Sequence, residues 1–457
     1  MGFPSDFAWG AATAAYQIEG GSTADGRGVS VWDSYCDDGK VERGDSGLEA
    51  CDHYHRWAED VGLMAEIGLK AYRMSVAWPR IMPNGTGAVN EAGLAYYEQL
   101  VDALLAAGVT LWVTLFHWDY PRPLYLRGGW LNPDSPRWFA DYAHTVVERL
   151  GDRVDHWLTI NEPQCFLGLG HRTGEQAPGL KYGMSDASTV VHNTLLAHGH
   201  AVEAIRAASP RPAQVGAALV GKIAMPQTTA PADIEAARRA TFGLHRPGIG
   251  GNTLYMDPMY RGCYPDDLAV AYDGMVPEID ADDLAVIHQP LDFFGTNIYF
   301  AEVVRASDAA CGFEQVPGHT SIGYNILGWP VQPECLYWGP RLLHERYGLP
   351  VVITENGMAA HDWPSLDGAV HDPQRVDFLA RHLGALGRAI DDGVTCAGYF
   401  HWSLMDNFEW SLGYRPRFGL VYVDYPSQRR IVKDSGRWYR ECIASNGAVV
   451  ADVGEPG

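Results

Sequence analysis

Two glutamates close strand-like runs: Glu162 in Thr159-Ile160-Asn161-Glu162-Pro163 and Glu355 in Ile353-Thr354-Glu355-Asn356-Gly357. Val154-Asp155-His156-Trp157-Leu158 leads into the first, and Leu349-Pro350-Val351-Val352 into the second. Cleaving a glycosidic bond takes two carboxyls flanking an oxocarbenium-like centre, one protonated and one ionised. Glu before Pro at a strand end is often only a turn. Two such glutamates within one repeating pattern are harder to dismiss.

Other polar and aromatic residues gather near strand ends. Gln17 and Glu19 follow the first run, and Arg73 lies in the second. The third ends at Phe116-His117-Trp118, and the sixth carries Asn297 and Tyr299. The eighth runs into Trp402-Ser403-Leu404-Met405-Asp406-Asn407-Phe408-Glu409-Trp410. A sugar needs donors and acceptors around its hydroxyls and a flat aromatic face beneath its ring. Each residue alone reads as packing; together they read as a sugar pocket.

The elements that must position them alternate along the chain. Strand-like runs fall at Phe7–Ala14, Leu69–Trp78, Val109–Trp118, Val154–Asn161, Ala213–Val220, Leu291–Phe300, Pro350–Glu355 and Cys396–Leu404. Helical patterns lie between them at Tyr54–Ile67, Glu91–Ala107, Ser135–Leu150, Ala187–Ala208, Ile234–Phe242, Cys335–Arg346 and Gln374–Asp391. Within Glu91–Ala107, Leu94, Tyr97, Leu100, Val101 and Leu104 keep to one face at helical spacing. Eight strands alternating with helices predict parallel β-α-β units closed into a (β/α)8 barrel. The loop-rich stretches Gly20–Cys51, Gly168–Met184, Ala301–Pro333, Ala359–His371 and Asp406–Tyr425 mostly follow strands, where such a barrel builds its active face. No linker divides the chain, so residues 1–457 are expected to form one domain.

Composition narrows the function. A formal charge of −22 argues against nucleic acid or an anionic membrane as partner. No run reaches the roughly 20 apolar residues of a spanning helix, and Met1-Gly2-Phe3-Pro4-Ser5-Asp6-Phe7 lacks the pattern of a signal peptide. Eight scattered cysteines without a Cys-x-x-Cys pair suit a reducing compartment, so a cytoplasmic protein is expected. The strand-one region lacks Gly-x-Gly-x-x-Gly, which disfavours a dinucleotide enzyme. His53-Tyr54-His55 resembles a metal cluster at a glance, but i and i+2 on a helix start diverge. No metal or cofactor is expected.

At this point the chain resembles glycoside hydrolase family 1, the β-glucosidase family, over essentially its whole length. The resemblance rests on Phe7–Gly20, Tyr72-Arg73-Met74-Ser75-Val76-Ala77-Trp78-Pro79-Arg80, Thr114–Trp118, Thr159–Pro163, Thr354–Gly357 and Trp402–Trp410 with Arg417-Phe418-Gly419-Leu420. It implies a retaining β-glucosidase with Glu162 as acid/base and Glu355 as nucleophile. It further implies that Gln17, His117, Asn161, Glu409 and Trp410 bind the terminal sugar, with Trp402 as its platform. Arg73, Asn297 and Tyr299 would surround the nucleophile, and the Arg73 charge and Tyr299 hydroxyl would lower its pKa. Proximity to that anion would raise the pKa of Glu162. The implied ligands are β-glucosides and short β-linked oligosaccharides, with β-fucosides and β-galactosides also accepted, and a homo-oligomer is compatible.

Three positions depart from common family patterns. Gln164-Cys165 stands where a Trp is frequent, Ile326-Leu327-Gly328-Trp329 replaces a frequent Asp-Met-Gly-Trp, and Pro416 occupies a frequent Lys position. All three are assigned to the aglycone side or its rim, with Cys165 and Trp329 as its candidate contacts. Two alternatives are a 6-phospho-β-glucosidase and a non-catalytic sugar-binding relative. The phospho-specific relatives carry Ser where Glu409 stands, and a dianion would be repelled there. Non-catalytic relatives lose one or both carboxylates, whereas Glu162 and Glu355 are present.

Overall fold

The computed structural model describes residues 2–277, 279–317 and 323–451. Its centre is a closed barrel of eight parallel strands: β1 (Ala8–Ala12), β2 (Ala71–Ser75), β3 (Thr110–Phe116), β4 (His156–Asn161), β5 (Gln214–Val220), β6 (Phe294–Asn297), β7 (Val351–Asn356) and β8 (Cys396–Trp402). Each strand pairs with the next in sequence, and β8 closes onto β1 through Ala8↔Gly398 to Ala12↔Trp402. Every expected strand is present; most are trimmed, and the seventh runs one residue further, to Asn356.

The helical expectations hold to within a few residues: His53–Ile67, Glu91–Ala106, Ser135–Leu150, Met184–Ala208, Pro231–Phe242, Cys335–Tyr347 and Pro373–Asp391. Helices Thr253–Arg261, Ala281–Ile287 and Asp434–Ala444 were not anticipated. The stretch Ala301–Pro333, expected to be loop, contributes strands Ala301–Ala306 and Phe313–Gln315 to a small sheet with Ile223–Pro226. Residues 318–322 of that stretch lie outside the described residues, as do Met1, Glu278 and 452–457 of the expected single domain.

The barrel's amino end is plugged by aromatic rings. Trp112 stacks on His156 and meets Phe293 and Phe400 edge-on, at centroid distances of 4.2, 5.0 and 5.3 Å. Gly10 on β1 makes room for this plug, because a Cβ there would come within 2.5 Å of the Phe400 ring. The interior therefore changes from apolar at one end to polar at the other, as catalytic barrels require.

Among the described residues no helix is long and apolar enough to cross a membrane. The eight cysteines are free thiols. His53 and His55 each face a carboxylate, Asp60 and Asp52, at the helix entry.

Candidate active site

The site begins where two strands break their own register. On β4, Leu158↔Gly216 is followed by Asn161↔Ala218, so three residues advance against two. On β7, Ile353↔Thr296 is followed by Glu355↔Asn297, two against one. Each is a one-residue bulge, which bends a strand and re-aims its side chains. Glu162 then turns into the left-handed region at φ 46°, a conformation that costs a non-glycine residue on the order of 1–3 kcal/mol. Pro163 starts a short helix immediately afterwards. Past Glu355, Gly357 is obligatory, because a Cβ would lie 1.8 Å from the Trp402 carbonyl oxygen.

Arg73, fully buried on β2, organises the floor. Its Nη1 donates to Glu355 Oε1 at 2.5 Å and to the Thr354 carbonyl at 3.1 Å. Its Nη2 donates to Asn161 Oδ1 at 2.7 Å, and its Nε to Thr114 Oγ1 at 3.1 Å. The Tyr299 hydroxyl donates to Glu355 Oε2 at 2.7 Å, so both oxygens of Glu355 accept from fixed donors. Glu162 Oε1 accepts from Asn297 Nδ2 at 2.9 Å. Asn297 is itself oriented by Thr354, whose hydroxyl donates to its Oδ1 at 2.6 Å. One glutamate is held by a cation and a phenol, the other by a neutral amide.

The polar chain continues to the sugar-facing residues. Asn161 Oδ1 is occupied by Arg73 and Asn297, so its Nδ2 donates to His117 Nε2 at 3.0 Å. Burial first, and then the Arg73 charge, push the His117 pKa well below its usual range. A neutral imidazole accepting at Nε2 carries its proton on Nδ1, and that buried Nδ1 has no protein partner. Gln17 Nε2 donates to the Phe408 carbonyl, Asn407 Oδ1 and Glu409 Oε2 at 2.9, 3.0 and 3.4 Å, and its buried Oε1 is unpartnered. A donor and an acceptor are thus left over, the two things a sugar hydroxyl needs.

Aromatic rings frame the cavity. Trp402 stacks with His117 at 5.8 Å, and Trp410 packs on Trp118 and Trp32 at 4.6 and 4.7 Å. Trp329 meets Tyr299 at 5.3 Å and Phe418 at 6.2 Å on the outer side.

Electrostatics separates the carboxyls. Burial, with the Glu355 charge second, raises Glu162 to about 7. Burial, then the charges of Glu355 and Glu162, raise Glu409 to about 8. Glu355 differs from expectation. Arg73 and Tyr299 do pull its pKa down, but burial outweighs them and the net shift is upward. A carboxyl enclosed by protein loses more hydration than one guanidinium and one hydroxyl return.

The structure brings Gln17, Arg73, His117, Asn161, Glu162, Asn297, Tyr299, Glu355 and Glu409 into one hydrogen-bonded or charge-coupled group. Cys165 lies close enough to Glu162 to lower that carboxyl's pKa, and burial, then the Glu162 charge, push the thiol's own pKa up. Gln164 bonds the Val220 backbone at the end of β5, and Pro416 is buried. Four contributors stand inside the quoted motifs without a role of their own in the sequence reading: Thr114, Thr354, Asn407 and Trp118, whose Nε1 donates to the Asn161 carbonyl at 3.0 Å. Their places within those motifs were the available signal.

Comparison with known proteins agrees with this geometry. The family model described as glycosyl hydrolase family 1 matches residues 1–448. The chain is 43% identical over 448 residues to β-glucosidase A of Thermotoga maritima, covering 97% of this chain and 98% of that protein. It is 41% identical to a bifunctional β-D-glucosidase/β-D-fucosidase of Bifidobacterium breve, covering 98% and 99%. Among solved structures, the Thermotoga maritima β-glucosidase in complex with deoxynojirimycin superposes with a TM-score of 0.89 at 43% identity, covering 98% of this chain and 99% of that one.

Proposed function

The chain belongs to glycosyl hydrolase family 1, and from that premise we propose a retaining β-glucosidase in which Glu355 is the nucleophile and Glu162 the acid/base. The observation that carries the assignment is the unequal grip on the two carboxyls. Glu355 accepts from a guanidinium and a phenol, which favour its anion; Glu162 accepts from a neutral amide and rises to about 7.

The chemistry follows from that asymmetry. Glu355 attacks the anomeric carbon while the Glu162 proton passes to the departing glycosidic oxygen, leaving a glycosyl ester on Glu355. Esterification removes the charge that held the Glu162 proton in place. Glu162 therefore emerges ionised and takes a proton from the incoming water, whose oxygen displaces Glu355 from the sugar. Two inversions give net retention.

The pocket accepts a non-reducing β-D-glucosyl end. Gln17, His117, Asn161, Glu409 and Trp410 bind its hydroxyls over Trp402, and Cys165 and Trp329 meet the leaving group. We extend the acceptance of β-fucosides, named for the Bifidobacterium breve relative, to this chain. Its free thiols suit work in the cytoplasm on cello-oligosaccharides and other short β-glucosides.

The test is Glu162→Ala on two leaving groups. Dinitrophenolate departs with little protonation, so glycosylation should survive while cellobiose cleavage collapses. Deglycosylation then lacks its base, giving a burst and a low apparent KM that azide relieves. Equal damage on both substrates without azide rescue would remove Glu162 from the acid/base role.

A further inference from the structure

A second concave surface lies behind the outer wall of the pocket. Residues 323–331 fold back on themselves, with Tyr324 bridging Pro330 and the Asn325 side chain accepting from the backbone N–H of Leu327 and Trp329. One side of this turn presents Trp329 to Tyr299 and Phe418. The other borders a groove of about 850 Å³, completed by the loop after β7 and the first turns of the helix Pro373–Asp391. That volume falls in the range of about 300–1,000 Å³ usual for small-molecule sites.

The lining points to one ligand chemistry. Trp363 and Tyr324 are 68% and 57% exposed, whereas tryptophan is ordinarily among the more buried residues. Two broad aromatic faces are thus open to the groove. The cations that line it are already neutralised. Arg381 Nε donates to both Asp377 oxygens at 2.8 and 2.9 Å, and His371 sits between Asp367 and Asp434. Among the described residues nothing there recruits a phosphate or carboxylate, and in a chain of charge −22 an anion is repelled from afar. The Gln374 amide and the His361 imidazole also line the groove; both donate and accept without requiring a charged partner. Apolar planes beside uncharged hydrogen-bonding groups match a pyranose, whose C–H faces are apolar and whose rim is hydroxyl.

We propose that this groove is an accessory carbohydrate site that holds a neutral β-linked glucan segment apart from the pocket at the barrel mouth. The pocket is built for one chain end; among the described residues the groove's carboxyls, Asp362 and Asp377, are held in ion pairs, and the groove binds without cleaving. It keeps a polymeric or longer oligomeric substrate near the enzyme between turnovers.

The experiment is native electrophoresis in gels containing soluble mixed-linkage β-glucan. The wild type, Trp363→Ala and Tyr324→Ala are compared, each with and without deoxynojirimycin to fill the pocket. The wild type should be retarded, and deoxynojirimycin should leave the retardation in place. Trp363→Ala should weaken the apparent affinity roughly tenfold, with Tyr324→Ala in the same direction. Both side chains are exposed, so unchanged aryl β-glucoside kinetics will report intact folding. Aryl glucoside turnover by the wild type tests the function proposed above separately, so the two readings fail independently. The groove assignment is overturned if the wild type migrates freely, or if deoxynojirimycin abolishes the retardation. It is equally overturned if both variants match the wild type, or if Trp363→Ala alters sedimentation instead of mobility, which would make the groove a contact between copies of the chain.

Discussion

Asp406 and Glu409 leave the same strand three residues apart and enter opposite electrostatic worlds. Glu409 joins Glu162 and Glu355 in a buried group served, among the described residues, by a single cation, Arg73. Asp406 joins Asp362 and Asp372 in a buried group with three cations, Arg375, Arg417 and Lys433. In the first group every carboxyl is pushed upward. In the second, Lys433 and Arg375 pull Asp362 below its usual range despite burial. Lys433 Nζ reaches Asp362 at 2.6 Å and Asp406 at 2.7 Å, and Arg417 reaches Asp406 at 2.7 Å. These contacts tie the loops after β7 and β8 to the carboxyl end of the barrel. The balanced cluster buys geometry; the unbalanced one holds protons that can move.

The comparison breaks most sharply at Glu355, the proposed nucleophile. Glu355→Gly should lower β-glucoside turnover by roughly 10⁴–10⁶-fold, the range seen when a member of a catalytic unit is removed. Azide should restore turnover with an α-product, because a small anion attacks from the vacated face. The same change removes the charge beside Glu162, so its titration should move below about 7, as read by carbon NMR of labelled glutamate. An unmoved titration would mean that the two carboxyls are not coupled.

Lys433→Met probes the balanced cluster. It leaves two buried carboxylates short of a cation, a loss of about 3–5 kcal/mol for a broken buried pair. Denaturant unfolding should show that loss, while the pH limbs of the remaining folded enzyme stay in place. A shifted pH profile with intact stability would place Lys433 in the chemistry.

Glu409→Gln sharpens the contrast through linkage. A carboxyl at about 8 in the folded state, against roughly 4.3 in an unfolded chain, makes the native protein bind more protons than the unfolded one. Its contribution is complete below about pH 4.3 and is lost as pH rises toward about 8. The variant should therefore gain stability over the wild type progressively across that window, as denaturant unfolding at successive pH values will read. Asp362, shifted the other way, contributes stability that disappears on acidification. Activity should fall on β-glucosides by about 0.5–1.5 kcal/mol per hydrogen bond lost, and less on β-fucosides, which lack the 6-hydroxyl. Equal losses on both would take Glu409 away from that hydroxyl.

The smallest effect belongs to Cys165. Its nearness to Glu162 lowers that pKa. Cys165→Ala should move the alkaline limb of kcat/KM upward, by less than about one pH unit for a weak sulfur donor. A downward shift would contradict the contact.

Much of this molecule was legible from local patterns. Eight strand-like runs alternating with amphipathic helices implied the barrel, since each run is short and each helix shows its own apolar stripe. Glu162, Glu355 and Glu409 sat in motifs at strand ends, where side chains of a barrel converge. The helix Asp434–Ala444 and the Asp362–Lys433 contact were invisible, because charged residues 71 positions apart give no local sign of pairing. The net rise of Glu355 was misread for a related reason. Sequence names neighbours that can stabilise an anion, but burial is a property of the closed fold.

The sequence by itself determined which groups could react and on which strands they would stand. Only the tertiary structure decided how they point. Strict alternation would send Asn161 and Glu162 to opposite faces of one strand, and likewise Thr354 and Glu355. The left-handed turn at Glu162 cancels that alternation past the end of β4 and the bulge on β7 cancels it at Thr354, so each consecutive pair serves the same pocket. A bulge is set by the stagger that closes eight strands into a ring, a constraint of the whole barrel that no single strand's residues express.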